Sequence, residues 1–414
     1  MGSRAAISVL VVLAALLAAT PAGAATFTVS SSADSGAGSL RAAITAANLD
    51  SVAPTINFSV PSVTVTSPLP EITRDGTFVD GCNVGRSGLG TPNGPTGGAC
   101  VRLDGGNSVA TGLVVKKASS VRIQDLRITG FSGVGVRLWG ASSSIVAGNR
   151  FGLLADGTPA GNGRAVRVTG LTENGTLTFQ AKGNIIGGTS DAAIDEDAGP
   201  ACNRACNLIA NSSIVGIDLV GLAGGSGEAD APAGGDPDTA SEGTSISGNW
   251  IGIRDAGGTT AANAQAIRIG DAQQTTIGGA TPEHGNVISG NTTGVEQAAG
   301  STSATSLLYG VFGLSPDQNA VRPNGTYNVR LAGSAGRNAL LIGVTVGPAP
   351  IGLDLTGPGS EVYGSAFRAP GADTTSRFTT AAIRLGAGAD GSFIGANLQP
   401  TSLPPFFTGA PVVP

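Results

Sequence analysis

A recurring triplet most limits what this chain can fold into: an apolar residue, a charged one, and usually a second apolar one. It appears as Val136-Arg137-Leu138, Val166-Arg167-Val168, Ile217-Asp218-Leu219, Ile267-Arg268-Ile269, Val295-Glu296-Gln297, Val329-Arg330-Leu331, Leu353-Asp354-Leu355 and Ile383-Arg384-Leu385. A second segment type alternates with it, SIVAGNRFG at 144–152, SISGNWIG at 245–252 and SLLYGVFG at 306–313, with NVISGN at 286–291 as a shorter relative. Alternation in runs this short predicts strands of a few residues. Self-similarity along the chain predicts that they stack as a solenoid, because one coil cannot bury its inner face alone. The expected architecture is therefore all-β, a parallel β-helix whose corners fall at Gly and Asn, residues that tolerate left-handed backbone angles. Val166 and Val168 should point inward and Arg167 outward.

Composition agrees with this. The chain has 66 glycines in 414 residues and only 12% charged residues, while 41% are hydrophobic. That apolar share argues against a disordered chain, and the Gly content argues against a helical bundle. A formal net charge of -5 leaves no basic footprint, which argues against nucleic acid as a partner.

The first 25 residues read as a cleaved signal peptide: a basic start at Arg4, an apolar stretch from Ile7 to Ala19, and small residues at Ala22 and Ala24. The apolar run is shorter than the ~20 residues a membrane span needs, and no later stretch could span a bilayer. The mature chain is thus expected to be secreted or at the cell surface, a periplasmic location also being compatible. Export makes Cys82, Cys100, Cys202 and Cys206 candidates for disulfides, and proximity favours Cys82 with Cys100 and Cys202 with Cys206. A four-thiolate zinc site is the competing reading, but neither spacing fits the usual pattern, so no metal is expected. The chain divides into a signal peptide (1–25), an N-terminal strand and capping helix (26–60), a β-helix (61–400) with inserted loops near 82–100 and 189–243, and a Pro-rich tail (401–414). The acidic stretches of the second insertion read as solvated loops rather than calcium sites.

The segment DSGAGSLRAAITAAN (34–48), followed by TINF, SPLPEIT and FVDG, resembles the opening of secreted bacterial right-handed parallel β-helix proteins of the pectin-lyase-like superfamily. The resemblance runs from about Thr26 to the last coil near Asn397. It implies the right-handed fold; members include enzymes, adhesins and surface proteins, so it implies function only weakly. From the residues themselves, Leu40, Ala43, Ile44 and Ala47 form one apolar helix face behind Ser39 as N-cap. Such a helix would cover the N-terminal end of the solenoid.

The triplet charges invite a catalytic or polyanion-binding reading. Yet from Arg167 onward the sign alternates: Arg167, Asp218, Arg268, Glu296, Arg330, Asp354, Arg384. The spacing alternates too, with roughly 20 residues between the two segment types in the Arg-bearing coils and fewer than about ten in the others. If consecutive members lie in consecutive coils, about 4.8 Å apart, they make a structural ladder of solvated pairs worth up to ~1 kcal/mol each. His284 is the only histidine, so a His-centred triad or multi-histidine metal site is excluded. It reads as a surface turn residue. The motifs that the resemblance would bring for polygalacturonases, pectate lyases or alginate epimerases do not occur. The sequence therefore points to a secreted, non-catalytic, monomeric scaffold, without cofactor, that binds polysaccharide or a surface protein through its loops. The alternative is a polysaccharide lyase, hydrolase or epimerase with an unfamiliar carboxylate or Arg site, and its catalytic residues are not identifiable from sequence.

Overall fold

The computed structural model describes residues 24–82, 101–173, 176–188, 202, 205–220, 241–270, 272–298, 304–332, 339–370 and 377–395. Residues 1–23 of the expected signal peptide, the expected insertion at 83–100, most of that expected at 189–243 and the tail at 401–414 lie outside the described residues. Within them the chain winds through three long sheets of twelve, ten and nine strands, every neighbouring pair parallel. Each coil passes from the first sheet through a tight corner to the second, then to the third and back. Parallel crossovers are right-handed, and the result is a right-handed parallel β-helix. No helix among the described residues is long and apolar enough to cross a membrane.

The interior follows from strand alternation. Ile123, Val146, Ile186, Ile246, Ile277, Leu307, Leu341 and Val362 stand opposite one another in the first sheet. Leu103, Ile128, Phe151, Ile209, Ile251, Ile288, Phe312 and Val346 do the same in the second. All are buried in one continuous core. Each side chain so enclosed stabilises by roughly 1.5–3 kcal/mol.

Helix Leu40–Asn48 buries Leu40, Ala43, Ile44 and Ala47, and Ser39 Oγ accepts a hydrogen bond from the Ala42 N–H at 3.2 Å. The polar residues of the same segment dock it. Arg41 Nη2 donates to both Asp34 carboxylate oxygens at 3.0 Å and to Ser67 Oγ at 2.6 Å, and its Nη1 donates to the Pro68 carbonyl. Asn48 donates to the Glu71 carbonyl and accepts from the Thr73 N–H. The motif thus ties the cap to the segment SPLPEIT.

Asn107 (φ 60°) and Asn211 (φ 54°) take the left-handed angle expected of asparagine, but in the repeats the structure corrects that expectation. In the repeats the left-handed angle belongs to the glycine before it (Gly148, φ 67°; Gly248, φ 64°). Asparagine instead bridges coils. Asn149, Asn207, Asn249 and Asn286 are fully buried, and each of the first three donates its Nδ2 to the next one's Oδ1 at 2.9–3.1 Å. Their amides also hold main-chain carbonyls, as Asn249 Nδ2 holds Ile186 at 2.9 Å. These bonds satisfy corner groups that stacking removes from water.

A second ladder runs through the corner before the third sheet. Asn263 donates to Asn291 and Asn291 to Asn324, at 2.9 and 3.0 Å. Ser212 occupies the rung before Asn263, its N–H bonded to Asn263 Oδ1 while its own hydroxyl has no partner. Ser212→Asn is expected to complete the ladder and raise stability by about 1 kcal/mol, the net value of a buried hydrogen bond. A higher urea midpoint would show it; a lower one would mean that the rung has no room for the amide.

Candidate functional site

The third sheet carries the triplet charges on its outer face. Arg137 stands opposite Arg167, Arg167 opposite Asp218, Asp218 opposite Arg268, and Arg268 opposite Glu296. The column continues through Arg330, Asp354 and Arg384, one coil at each step. Its members are not equivalent solvated pairs. Asp218 and Asp354 are fully buried, because the longer arginine side chains of the coils on either side fold over each short carboxylate.

Asp218 receives Arg268 twice, Nε on Oδ1 at 2.8 Å and Nη2 on Oδ2 at 2.9 Å. Arg164 Nε reaches the same carboxylate at 3.0 Å, with Arg167 Nε at 3.5 Å. Asp354 is held by Arg330 Nε at 2.9 Å and Arg384 Nε at 2.8 Å. Glu296 is the weak rung, accepting from Gln265 at 2.7 Å and from Arg330 only at 3.5 Å. The column is therefore two acid-centred clusters rather than one even ladder. Arg137 faces a like charge and stacks on Trp139 at 4.1 Å from the ring centroid. Arg330 similarly covers Tyr327, whose phenol is pushed far up by burial and by Glu296, so that it stays protonated.

Arg164 has no counterpart in the sequence reading. Strict alternation would turn it inward with Val166, but at the corner that opens the strand it reaches the outer carboxylate instead.

The alternating coil length also has a structural cause. Before the strands bearing Arg167, Arg268 and Arg330 the chain throws out a hairpin arm, closed by the pairs Leu153–Pro159, Ile253–Thr260 and Leu314–Val321. Arginines clip these arms together: Arg254 Nη1 donates to the Gly157 carbonyl at 3.1 Å, and Arg322 Nη2 to the Gly257 carbonyl at 3.1 Å.

Burial opposes the charge on Asp354, and hydrogen bonds from Arg384 and Arg330 overcome it, holding its carboxyl below the ordinary range. A folded-state pKa below the unfolded value of about 3.9 gives stability that is present at neutral pH and lost as pH falls below ~4 through the folded value. Urea midpoints measured from pH 7 to 3 are expected to fall at the acid end, and to fall less steeply in Asp354→Asn. Parallel profiles would place the acid sensitivity elsewhere.

The second sheet presents a different outer face. Arg102, Arg127 and Arg150 stand opposite one another on successive coils, followed by Leu208, Trp250 and Val287. Arg102 pairs with Asp104 at 2.8 Å and donates to Thr129 Oγ1 at 2.9 Å. Arg127 is only 6% exposed, and its Nε has no hydrogen-bond partner. Burial and then the neighbouring Arg102 lower its pKa; burial and then Arg127 lower that of Arg150. The sequence reading passed over these three, although Val101-Arg102-Leu103 and Leu126-Arg127-Ile128 carry the same apolar-charged-apolar pattern as the third-sheet triplets.

Cys202 and Cys206 form a disulfide and pack beside Trp250 and Val287. Cys82 is disulfide-bonded; Cys100, its expected partner, lies outside the described residues. His284 closes a surface 3-10 turn, with its Nδ1 2.8 Å from Thr281 Oγ1. Asn291, although in an Asn-x-Thr sequence, is buried in the second ladder and closed to glycosylation.

No protein-family model and no curated protein sequence matches the chain. Among solved structures it is similar to jun a 1, the major allergen from cedar pollen, at 14% identity over 92% of this chain and 82% of that one, with a TM-score of 0.41. It is similar also to an alginate lyase from a Paenibacillus species (12% identity, 87% and 99% coverage, TM-score 0.30). A third is the Streptococcus pneumoniae surface protein and adhesin PfbA (13% identity, 86% and 95% coverage, TM-score 0.28). Likenesses this distant carry no argument about activity, and the right-handed parallel β-helix rests on the chain's own strand pairing.

Proposed function

We propose that the protein is an exported, non-catalytic β-helix scaffold, monomeric, that binds a glycan or a protein on its outer surface. The observation that carries this reading is the commitment of the buried acids on the third sheet. A general acid or base must exchange a proton near the working pH, and a metal ligand must have free lone pairs. Asp218 is enclosed by three arginines and Asp354 by two, so these carboxylates serve the stack. The Cys202–Cys206 disulfide suits an oxidising compartment outside the cytoplasm.

The test is to incubate the full-length protein with a panel of uronate-containing and neutral polysaccharides, following new reducing ends and unsaturated products alongside retention on the immobilised glycans. Retention without turnover is expected. Turnover of any member would overturn the scaffold reading in favour of a lyase, hydrolase or epimerase.

A further inference from the structure

A column of like charges stands on the second sheet. Strand pairing places Arg102, Arg127 and Arg150 in one outward column, about 4.8 Å per step. Like charges at that distance repel, and burial strengthens the repulsion. Arg102 is balanced by Asp104. Arg127, in the middle, is more than nine-tenths buried, and its side-chain Nε has no hydrogen-bond partner among the described residues. The acid that attracts it is Asp156 at the tip of the first hairpin arm, and that carboxylate is already engaged with the Thr158 N–H at 2.8 Å.

A buried guanidinium without a counter-ion in contact with it destabilises a protein and is relieved by a bound anion. Arginine forks bind planar or tetrahedral oxyanions through paired N–H donors. A column of three offers that recognition at a regular interval, which suits a polymer with repeated anionic groups.

We propose that Arg102, Arg127 and Arg150 form a binding site for the oxyanionic groups, sulfate or carboxylate, of a polysaccharide. The polysaccharide as source rests on the scaffold reading above; the anion site stands on the arginine geometry alone.

The experiment uses the full-length protein in two arms. In the first, thermal midpoints are compared in sodium sulfate and in sodium chloride of equal ionic strength. In the second, binding of dextran sulfate, hyaluronate and neutral dextran is titrated calorimetrically. Sulfate is expected to raise the midpoint, and a charged polymer to bind with an affinity that falls with salt, while neutral dextran does not bind.

Arg127→Gln should weaken polymer binding at least tenfold and abolish the sulfate effect, yet leave the midpoint without anion unchanged or higher, because repulsion in the column is relieved. Arg102→Gln, at a more exposed position, should weaken binding as well. Lys182→Gln, in an exposed pair elsewhere, should not. Undiminished polymer binding by Arg127→Gln would overturn the site, as would a midpoint several degrees lower with binding intact. Sulfate protection with neither charged polymer bound would overturn the polysaccharide source. Polysaccharide turnover would overturn the scaffold reading and leave the arginine site standing, so the two readings fail separately.

Discussion

Asp218→Asn is expected to lower the free energy of unfolding by about 3–5 kcal/mol, the usual consequence of removing one partner from a buried ionic cluster. The carboxylate is fully enclosed, and its loss removes the anion that Arg164, Arg167 and Arg268 share. Two of these arginines are themselves almost buried, with side chains 6% exposed, so water cannot replace the missing partner. Asp354→Asn should cost less. Its partners Arg330 and Arg384 are 30% and 43% exposed and can turn to solvent. Urea unfolding of both variants would measure the difference, and equal losses would show that burial does not set the weight of the two clusters.

Asn249→Ala is expected to cost about 3 kcal/mol, since a buried hydrogen bond contributes ~0.5–1.5 kcal/mol net and the side chain makes several. Asn249 Oδ1 accepts from both the main-chain N–H and the side-chain amide of Asn207, at 3.3 and 2.9 Å. Its Nδ2 holds the carbonyls of Ile186 and Ser247 and reaches Asn286 Oδ1. Alanine removes all five bonds and leaves the Asn207 main-chain N–H without this partner in a buried corner, while the Ser247 carbonyl keeps the Gly188 N–H, Asn286 Oδ1 keeps the main-chain N–H of position 249 and the Asn207 amide keeps the Val146 carbonyl. Because each coil touches only its neighbours, the disturbance should stay local. Hydrogen exchange is expected to speed up at the Asn207 amide and to change little at the distant helix cap. Unchanged protection at Asn207 would remove the ladder from the account of stability.

Much of the fold was legible because it depends on near neighbours in sequence. The triplets show which residues face inward, and Leu40, Ala43, Ile44 and Ala47 mark the buried face of the cap before any contact is known. The candidate sites were less legible. Alternation placed the triplet charges outward, but outward does not mean solvated when long side chains from two adjacent coils close over a short one. Arg164 breaks the alternation because a corner, not a straight strand, aims it. Asparagine was read from its local backbone preference, whereas its role in the repeats is set by a partner one coil away.

What the sequence determined by itself was the coil: short strands, in–out alternation, glycine corners and the apolar stripe of one helix, all consequences of local geometry and side-chain type. Only the tertiary structure decided which residues of different coils meet. Coils of unequal length, some with hairpin arms and some without, make the spacing between stacked positions irregular, so no period in the chain announces that Arg102, Arg127 and Arg150 share a column or that Asn207 sits under Asn249. Stacking sets that register, because the apolar inner columns admit only one alignment of neighbouring strands, and a slip of one residue would turn every buried side chain outward.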